Sequence, residues 1–485
     1  MMMIYCFPLV LISLTIIVSQ CNGFALESSS ESKKVFTFTI EPIKMKPSTL
    51  AYFQKNPEIY YGLLCDRDNA RMNYLVGVGT SMNTSQGGND IVFKPVSPKT
   101  ELGWSFSVLV PIGKPLQIQP LLLDTGSGMT WFMCQPDCVR CHPVRQGDTI
   151  YPIYDQTKSD TDLRVDCGNE DCESRYSSCV DDDHLWCKFR IDYADNDYAK
   201  GDLIYDMLVL GGRENMYPMG CSRDTTYNNP STSGILGLAQ GSLSLAERII
   251  RNYKDLSVFS YCLSPDNSTS LIFSGDYVSM LSSSTKQLSN QEIFYTNMIT
   301  NPSRPVWYYV DLVGISIGSG EIIEGTEEPV FHISGESGGV FIDSGFTFTT
   351  LVPEAYKAVT KAFKEMVSGL SGWVPFRPVG GLSTCYNLSS VSRPIEFHSL
   401  NFHFRKAESP EEGRRNYDDD EHFKLELAFD NVMTMVNRQY TNLYCLALTE
   451  TKSGISIIGM INQRNIRMDF GFQFNFSLLA GTGHG

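Results

Sequence analysis

Two short stretches hold acidic residues in a setting that suits hydrolytic chemistry. They are Asp124-Thr125-Gly126-Ser127 and Asp343-Ser344-Gly345, and apolar residues 121–123 and 340–342 precede them. Each stretch therefore predicts a strand that ends in a tight turn with a carboxylate. A single Asp-x-Gly is an ordinary turn, since both residues favour turns. Two of them, about half of the mature length apart, predict two related lobes that each supply one Asp to a shared centre.

Two carboxylates held close together have a defined chemistry. Like charges at short range cannot both ionise at low cost, so the pair shares one proton over an acidic range of pH. The ionised Asp takes a proton from a bridging water, and the protonated Asp gives one to an amide carbonyl oxygen. The water then attacks the amide carbon with no metal and no covalent intermediate. We predict Asp124 and Asp343 as a catalytic dyad with no cofactor and no metal site.

Length, charge and hydropathy bound the class of protein. The 485 residues suffice for two lobes, and the net charge of −15 argues against nucleic acid as a partner. Residues 4–18 form a short apolar core followed by small residues at Gly23 and Ala25, which predicts a signal peptide over 1–23. No other segment is apolar enough to span a membrane, and no lipid-anchor tail is present. We therefore expect a secreted, extracellular or vacuolar protein that is monomeric.

The cysteines and glycosylation sequons fit secretion. Seven of the fourteen cysteines crowd into one region after the first Asp turn, namely Cys134, Cys138, Cys141, Cys167, Cys172, Cys179 and Cys187. Cys138, Cys141 and His142 have a spacing that a zinc site could use, but outside the cytosol disulfides are the favoured use. Four Asn-x-Ser/Thr sequons offer possible glycan acceptors, at Asn83, Asn267, Asn387 and Asn475.

After the predicted signal peptide over residues 1–23, the chain divides into three further segments by composition. Residues 24–100 contain scattered basic residues, among them Arg67 and Arg71, and no clear core pattern. We interpret them as a propeptide, suited by charge to cover an acidic cleft at neutral pH and to leave on acidification; the alternative is an ordinary N-terminal extension. Residues 101–300 form the predicted first lobe with the cysteine-rich insert, and residues 301–485 the predicted second lobe.

Short apolar runs between turn residues predict an all-β fold from Trp104 onward. Two helices are also indicated. Ser244-Leu-Ala-Glu247 is a capping box that opens a helix to about Tyr253, and Pro353 suits the first position of another. Two apolar runs with glycine, residues 234–238 and 457–459, follow the two Asp turns at similar distances, as expected where a strand passes close to an active-site loop.

Taken together, these motifs resemble the pepsin-family aspartic proteases of the secreted plant, nepenthesin-like type. The matching stretches are Asp124 to Ser127 with Trp131, the cysteine-rich insert, Gly220-Cys221, Gly234 to Leu238, Gly241 to Leu245, Phe259 to Leu263, Tyr308 to Val310, Asp343 to Gly345, Thr384 to Tyr386, Cys445 to Leu448 and Ile457 to Gly459. The resemblance extends from about residue 101 to about residue 470. It implies a bilobal all-β fold with a cleft between the lobes.

The resemblance also implies roles for individual residues. It assigns Asp124 and Asp343 to the dyad, with Gly126 and Gly345 in their turns. It implies that the hydroxyls of Thr125 and Ser344 cross-brace these turns and that Ser127 hydrogen-bonds Asp124. Tyr193 matches the tyrosine of a mobile flap over the substrate, and Trp131 matches the indole that this tyrosine can hydrogen-bond.

Several positions depart from the family pattern. Phe346 stands where a Thr hydroxyl normally supports the second carboxylate, so Asp343 is predicted to ionise less readily. The flap continues Tyr193-Ala194-Asp195-Asn196 instead of Tyr-Gly-x-Gly. The usual final cysteine is absent. By resemblance this cysteine would pair with Cys262. Once the signal peptide and the propeptide are lost, eleven cysteines remain, so we predict that Cys262 is a free thiol in the mature protein and that Cys385 pairs with Cys445.

Two functions from different classes follow from the resemblance. The favoured one is an acid-active endopeptidase that acts on protein or peptide substrates, because both Asp turns are present. The alternative is a weakly active or inactive homologue that binds and inhibits glycosidases such as xylanases. Inactive relatives typically lack one Asp or its turn, so an intact dyad favours the enzyme.

Overall fold

The computed structural model describes sixteen stretches of the chain. They are residues 14–20, 35–42, 55–77, 106–146, 148–179, 185–192, 198–210, 213–253, 256, 258–263, 270–274, 294–391, 395, 397–406, 422–437 and 442–472. The predicted all-β fold with two related lobes is confirmed, because strands far outnumber helices in the described chain and the strands around Asp124 and Asp343 pair in equivalent ways.

Strands follow one another through both lobes. Before and within the first lobe they are Leu14–Gln20, Val35–Pro42, Phe106–Ile112, Gln117–Asp124, Trp131–Gln135, Val144–Gln146, Thr149–Tyr151, Tyr154–Asp155, Leu163–Arg164, Ser177–Ser178, Lys188–Asp192, Tyr198–Leu210, Arg213–Thr225, Gly234–Gly237, Val258–Cys262 and Ser270–Ser274. In the second lobe they are Phe294–Ile299, Tyr308–Val310, Leu312–Ile317, Val340–Ile342, Thr349–Leu351, Val374–Phe376, Cys385–Asn387, Leu400–Arg405, His422–Leu427, Met433–Asn437, Leu443–Leu446, Leu448–Glu450, Ser456–Ile458 and Ile466–Phe472.

Helices are few in the described chain. They are Pro57–Gly77, Leu245–Asn252, Glu328–Phe331, Pro353–Ser368, Phe429–Val432 and Met460–Gln463, with 3-10 turns at Gln156–Lys158 and Glu170–Cys172. Both predicted helices are present. Ser244 caps the second by accepting from the Glu247 amide at 3.2 Å. Pro353 begins the fourth, which buries Tyr356, Val359 and Phe363 on one face. None of the described helices is long and apolar enough to cross a bilayer.

In the first lobe, one strand pairing sets the position of Asp124. Gln117–Asp124 runs antiparallel to Phe106–Ile112 and parallel to Gly234–Gly237, so that Gly237 lies opposite Asp124. A Cβ atom at Gly234 would lie 2.6 Å from the Cα of Phe132 and overlap the Trp131 carbonyl. Glycine is therefore required here, because any side chain would push apart the strands that hold the Asp turn.

The second lobe repeats this arrangement around Asp343. Val340–Ile342 runs antiparallel to Tyr308–Val310 and parallel to Ser456–Ile458. In each lobe one glycine amide donates to a threonine hydroxyl in the same way. Gly237 N donates to Thr130 Oγ1 at 3.1 Å, and Gly459 N donates to Thr349 Oγ1 at 3.0 Å. The apolar-apolar-Gly runs thus hold the two Asp turns in equivalent ways.

The N-terminal segments contain more structure than their sequence suggests. Leu14–Gln20, inside the predicted signal peptide, pairs with Ile466–Phe472 and Phe294–Ile299. Val35–Pro42 pairs with Ser270–Ser274 and Phe106–Ile112. The helix Pro57–Gly77 buries Tyr60, Tyr61 and Leu64 in the main core. The expectation that residues 24–100 have no core pattern is therefore wrong for this helix.

Five disulfides lie within the described chain. They join Cys134 to Cys221, Cys138 to Cys141, Cys167 to Cys179, Cys172 to Cys187 and Cys385 to Cys445. The close group Cys167, Cys172 and Cys179, which could hold a metal ion as thiolates, is accounted for by two of these disulfides.

In the full chain Cys262 is disulfide-bonded, and its partner lies outside the described residues. The ten other cysteines of residues 101–485 pair among themselves, so the partner of Cys262 lies outside the two predicted lobes. A free thiol at Cys262 in the mature protein stays a prediction. Cys65 is the free cysteine of the described chain, and it is buried in the helix Pro57–Gly77.

Candidate active site

The two Asp turns meet between the lobes through reciprocal hydrogen bonds. Ser344 N donates to Thr125 Oγ1 at 3.0 Å, and Thr125 N donates to Ser344 Oγ at 3.1 Å. Each hydroxyl also donates across the interface, Ser344 Oγ to the Leu123 carbonyl at 3.1 Å and Thr125 Oγ1 to the Ile342 carbonyl at 3.4 Å. All of these groups are buried. The hydroxyls therefore lock the two turns to each other without water.

Glycine in each turn lets the opposite carboxylate approach. A Cβ atom at Gly345 would lie 2.8 Å from Asp124 Oδ1, and one at Gly126 would overlap Asp343 Oδ2. The two glycine amides also serve their own carboxylates, since Gly126 N donates to Asp124 Oδ1 and Gly345 N to Asp343 Oδ1, both at 2.8 Å. Both Asp side chains are fully buried. The turns thus bring two carboxylates together away from bulk water.

The two carboxylates have unequal support. Ser127 Oγ donates to Asp124 Oδ2 at 2.7 Å. The equivalent residue after the second turn is Phe346, whose side chain has no donor. Burial raises the pKa of Asp343 to about 6, with Arg71 opposing the rise and Asp124 adding to it. Asp124 therefore has a side-chain hydroxyl donor from its own turn that Asp343 lacks.

Arg71, from the helix Pro57–Gly77, lies between the two carboxylates. Its Nη1 donates to Asp124 Oδ2 at 2.9 Å, its Nε to Asp343 Oδ2 at 2.9 Å and its Nη2 to Asp343 Oδ1 at 3.2 Å. A planar guanidinium suits this double, fork-like contact. Sequence analysis noted Arg71 only as one basic residue among several. Its contact with the dyad was not predictable before the helix was known.

Asp68 lies one helical turn before Arg71 and contacts the second lobe. Its carboxylate accepts from Thr347 N and Thr347 Oγ1 at 3.0 Å and from Phe348 N at 2.9 Å. Residues three apart share a helix face, so Asp68 and Arg71 reach adjoining parts of the cleft. Asp68 and Thr347 were not among the predicted site residues.

Phe346 belongs to an apolar cluster beside Asp343. It is 1% exposed and packs in one cluster with Met72, Trp307, Phe341 and Ile457. Trp307 and Phe341 stack with their ring centroids 4.7 Å apart. The cluster forms an apolar wall that Met72 of the helix Pro57–Gly77 helps to cover.

The predicted flap lies outside the described residues, because Tyr193, Ala194, Asp195 and Asn196 are not among them. Trp131 is fully buried, and its ring makes an edge contact with Tyr227 at 5.3 Å. Tyr227 hydroxyl pairs with Thr232 Oγ1 at 2.5 Å. Tyr227 was not predicted, since a lone aromatic in a polar loop has no periodic signal.

Gly128 directly follows the first Asp turn and lies against the cysteine-rich insert. A Cβ atom at Gly128 would lie 3.1 Å from the hydroxyl of Tyr176, a residue of the cysteine-rich insert. The insert therefore occupies the space that a larger side chain would need next to the first Asp turn.

Of the predicted glycan acceptors, Asn83, Asn267 and Asn475 lie outside the described residues. Asn387 is half-buried, and its Oδ1 accepts from Ser389 N at 2.9 Å and from Ser389 Oγ at 2.7 Å. Its use as an acceptor stays a prediction.

Comparison with known families places both lobes in one group. The family model described as xylanase inhibitor N-terminal matches residues 106–276, and the one described as xylanase inhibitor C-terminal matches residues 307–475. The first match contains Asp124 and the second contains Asp343.

Curated relatives with similar sequences are named as plant aspartic proteases. The chain is 28% identical to Aspartic Protease in Guard Cell 2 of Arabidopsis thaliana, over 79% of this chain and 73% of that protein. It is 26% identical to aspartic proteinase nepenthesin-1 of Nepenthes gracilis, over 73% of this chain and 72% of that protein.

Solved structures share the fold at low identity. The crystal structure of edgp matches with a TM-score of 0.57 and 15% identity, over 91% of this chain and 96% of that one. Conglutin gamma from lupine seeds matches with a TM-score of 0.54 and 16% identity, over 76% of this chain and 92% of that one.

The cross-brace yields a stability prediction. Thr125→Val removes one hydroxyl and leaves the buried amide of Ser344 without its acceptor. An unsatisfied buried group costs about 1–3 kcal/mol, so we expect the free energy of unfolding to fall by about that amount. Chemical denaturation of the full chain measures it. Thr149→Val, at an exposed strand position, is the matched control and should change stability by less than about 0.5 kcal/mol. Equal stability of both variants would contradict the role of the cross-brace.

Proposed function

This chain belongs to the plant group of pepsin-like aspartic proteases, and we propose that it is a secreted endopeptidase that hydrolyses peptide bonds at acidic pH. The observation that supports the proposal most is the pair of buried, cross-braced carboxylates of Asp124 and Asp343. Proteins or peptides are the proposed substrates, and the mechanism requires no cofactor.

The unequal support of the two carboxylates suggests their roles. Asp124, with the Ser127 hydroxyl and the Gly126 amide as donors, is the base that takes a proton from the attacking water. Asp343, whose pKa burial raises to about 6, is the acid that gives its proton to the carbonyl oxygen of the substrate. The water oxygen bonds to the carbonyl carbon, and a tetrahedral diol forms. Transfer of a proton to the nitrogen then lets the carbon–nitrogen bond break.

We further propose that the described form is an inactive precursor. Arg71 occupies the space between the carboxylates where the water would have to lie, and Asp68 and Met72 cover the adjoining surface of the second lobe. At neutral pH the Arg71 guanidinium offsets one of the two negative charges of the dyad and pairs with both carboxylates. Removal or displacement of residues 24–100 would therefore be needed for activity.

The alternative function is a glycosidase inhibitor on the same fold. The matching family models are described as the two halves of a xylanase inhibitor, which favours this alternative. The presence of both Asp turns and of Ser127 beside Asp124 favours the enzyme. A protein that only binds glycosidases has no use for a buried pair of like charges, which are costly to bring together.

A cleavage assay tests the proposed function. Acid-treated protein should cleave denatured protein substrates near pH 4, because one of the two carboxylates is then protonated. Asp124→Asn and Asp343→Asn should each lower the rate below detection, and pepstatin should inhibit the wild type. EDTA should have no effect, since no step uses a metal.

The outcomes separate the two candidates. Cleavage that persists in both Asn variants would refute the dyad. No cleavage by the wild type, together with stoichiometric inhibition of a xylanase, would favour the alternative. The Asn substitutions keep the volume of each side chain, so that circular dichroism can verify that the variants fold like the wild type.

The contact of Arg71 with the dyad yields a second prediction. As pH falls through about 6, Asp343 gains a proton and Arg71 loses one of its anionic partners, so acid weakens the hold of the helix. Arg71→Gln removes this ion pair at every pH. We expect the full-length variant to become active at a higher pH than the wild type, by about one unit, as measured by activity after incubation across a pH series.

A matched control is available at the second-lobe residue that pairs with the start of the same helix. Arg377→Gln removes an exposed ion pair between the second lobe and Glu58, whose nitrogen–oxygen distance is 3.2 Å. Exposed pairs contribute little, so its activation profile should match that of the wild type. If Arg71→Gln activates only at the pH of the wild type, Arg71 does not hold the precursor closed.

Phe346 yields a third prediction, on the mature enzyme. Phe346→Thr offers a hydroxyl to the ionised form of Asp343, which lowers its pKa. A hydrogen bond to a charged group is worth about 1.5–3 kcal/mol, or about one to two pKa units. Because Asp343 must hold its proton to act as the acid, the basic limb of the pH–activity profile should therefore move to lower pH, and turnover should rise because Asp343 becomes the stronger acid. Phe346→Ala gives space without a donor and should do less. An unchanged profile in Phe346→Thr would mean that this position does not tune the dyad.

A further inference from the structure

We propose that Thr347 and Phe348 form a carboxylate-binding subsite in the mature cleft, so that the enzyme favours substrates with an Asp or Glu side chain at that point. The inference rests on the proposed function and adds a substrate class to it. Its basis is the carboxylate of Asp68, which occupies this turn in the described form.

The turn presents three donors to a single carboxylate. Thr347 N, Thr347 Oγ1 and Phe348 N all lie 2.9–3.0 Å from oxygen atoms of Asp68, and Asp68 is 2% exposed. Successive backbone amides that point to one spot form a concave site for an anion. Arg67 also contacts Thr347 Oγ1 and lies 3.5 Å from Asp68, but it belongs to the helix that would leave.

The donors are held by the second lobe and not by the helix. The Thr347 carbonyl accepts from Ile461 N at 3.1 Å, and the Phe346 carbonyl accepts from Met460 N at 2.8 Å. The next strand, Thr349–Leu351, pairs with Leu448–Glu450 and Ser456–Ile458. The direction of the two amides is therefore fixed by bonds that remain after the helix is gone, which makes the site preorganised for its next ligand.

Loss of the helix leaves these donors facing the cleft. A carboxylate can accept from all three, and hydrogen bonds to an ionised acceptor are stronger than those to a neutral one. An Asn side chain offers one neutral carbonyl oxygen and an NH2 group that cannot accept. The negative charge that remains on the dyad opposes an anion here, so we expect a selectivity that is moderate.

The position of the subsite follows from the helix that fills it. Asp68 and Arg71 are one turn apart, with Cβ atoms about 5–6 Å from each other. An extended substrate advances about 3.3 Å per residue. An acidic residue bound at Thr347 would therefore lie within about three residues of the scissile bond, on the Asp343 side of the cleft.

Matched peptides test the inference on acid-activated wild-type enzyme. A cleavable peptide is varied at each of three positions on both sides of the scissile bond, with Asp or Asn at one position at a time. At about pH 5 the Asp side chain is ionised. We expect kcat/KM for Asp to exceed that for Asn about tenfold at one position, equivalent to about 1.4 kcal/mol. Glu against Gln should give the same sign at that position.

Two variants connect the selectivity with the turn. Thr347→Val removes one of the three donors at similar volume and should lower the Asp/Asn ratio severalfold. Thr347→Ser keeps the hydroxyl and should retain the ratio. The ratio compares two substrates on one enzyme, so a general loss of activity or stability does not change it.

The results distinguish this inference from the proposed function. Equal rates for Asp and Asn at all positions overturn the subsite but leave the protease standing. A ratio that is unchanged in Thr347→Val overturns the assignment to this turn. Cleavage of none of the peptides at any pH overturns the proposed function, and the subsite with it. If Thr347→Val does not fold, the Asp/Asn ratios of the wild type and of Thr347→Ser still decide whether the subsite exists.

Discussion

The hydroxyl cross-brace between Thr125 and Ser344 is the interaction on which the rest of the site depends. It holds two buried carboxylates together although their charges repel each other. Such a pair needs either a shared proton or a cation nearby. The chain supplies the cation itself, since Arg71 lies between Asp124 and Asp343. Acid supplies the proton instead. The same geometric constraint therefore underlies both states of our proposal, the inhibited precursor at neutral pH and the active enzyme in acid.

The helix Pro57–Gly77 matches the cleft at three chemically different places. Arg71 meets the two carboxylates, Asp68 meets the amide donors after the second turn, and Met72 packs on the apolar wall around Phe346. A cation, an anion and an apolar side chain each find a complementary partner. Because these partners belong to the lobes, the contacts of the helix show which chemical groups line the surface that a substrate would contact. The inhibitory segment is thus informative about specificity as well as about activation.

Much of the site could be predicted from sequence, because it depends on local chemistry. The Asp turns, the glycines that permit close approach and the capping box at Ser244 each have a signature within a few residues. The helix Pro57–Gly77 was missed for a physical reason. Its buried face includes Tyr61 and Leu64 but continues through Asp68 and Arg71, so the residues that contact the site interrupt the apolar period on which helix prediction relies.

Phe346 connects the asymmetry of the dyad with the apolar wall. A threonine at this position would support the ionised form of Asp343, whereas the phenylalanine ring instead extends the cluster of Trp307, Phe341 and Ile457. One substitution thus exchanges a hydrogen bond for apolar packing beside the reacting atoms. Without that hydrogen bond, the shared proton is favoured on Asp343, while Ser127 and Gly126 stabilise the charge on Asp124. In the proposed mechanism the departure from the family pattern therefore sharpens the division between acid and base, because Asp343 starts each cycle protonated and must regain a proton after it has given one to the substrate.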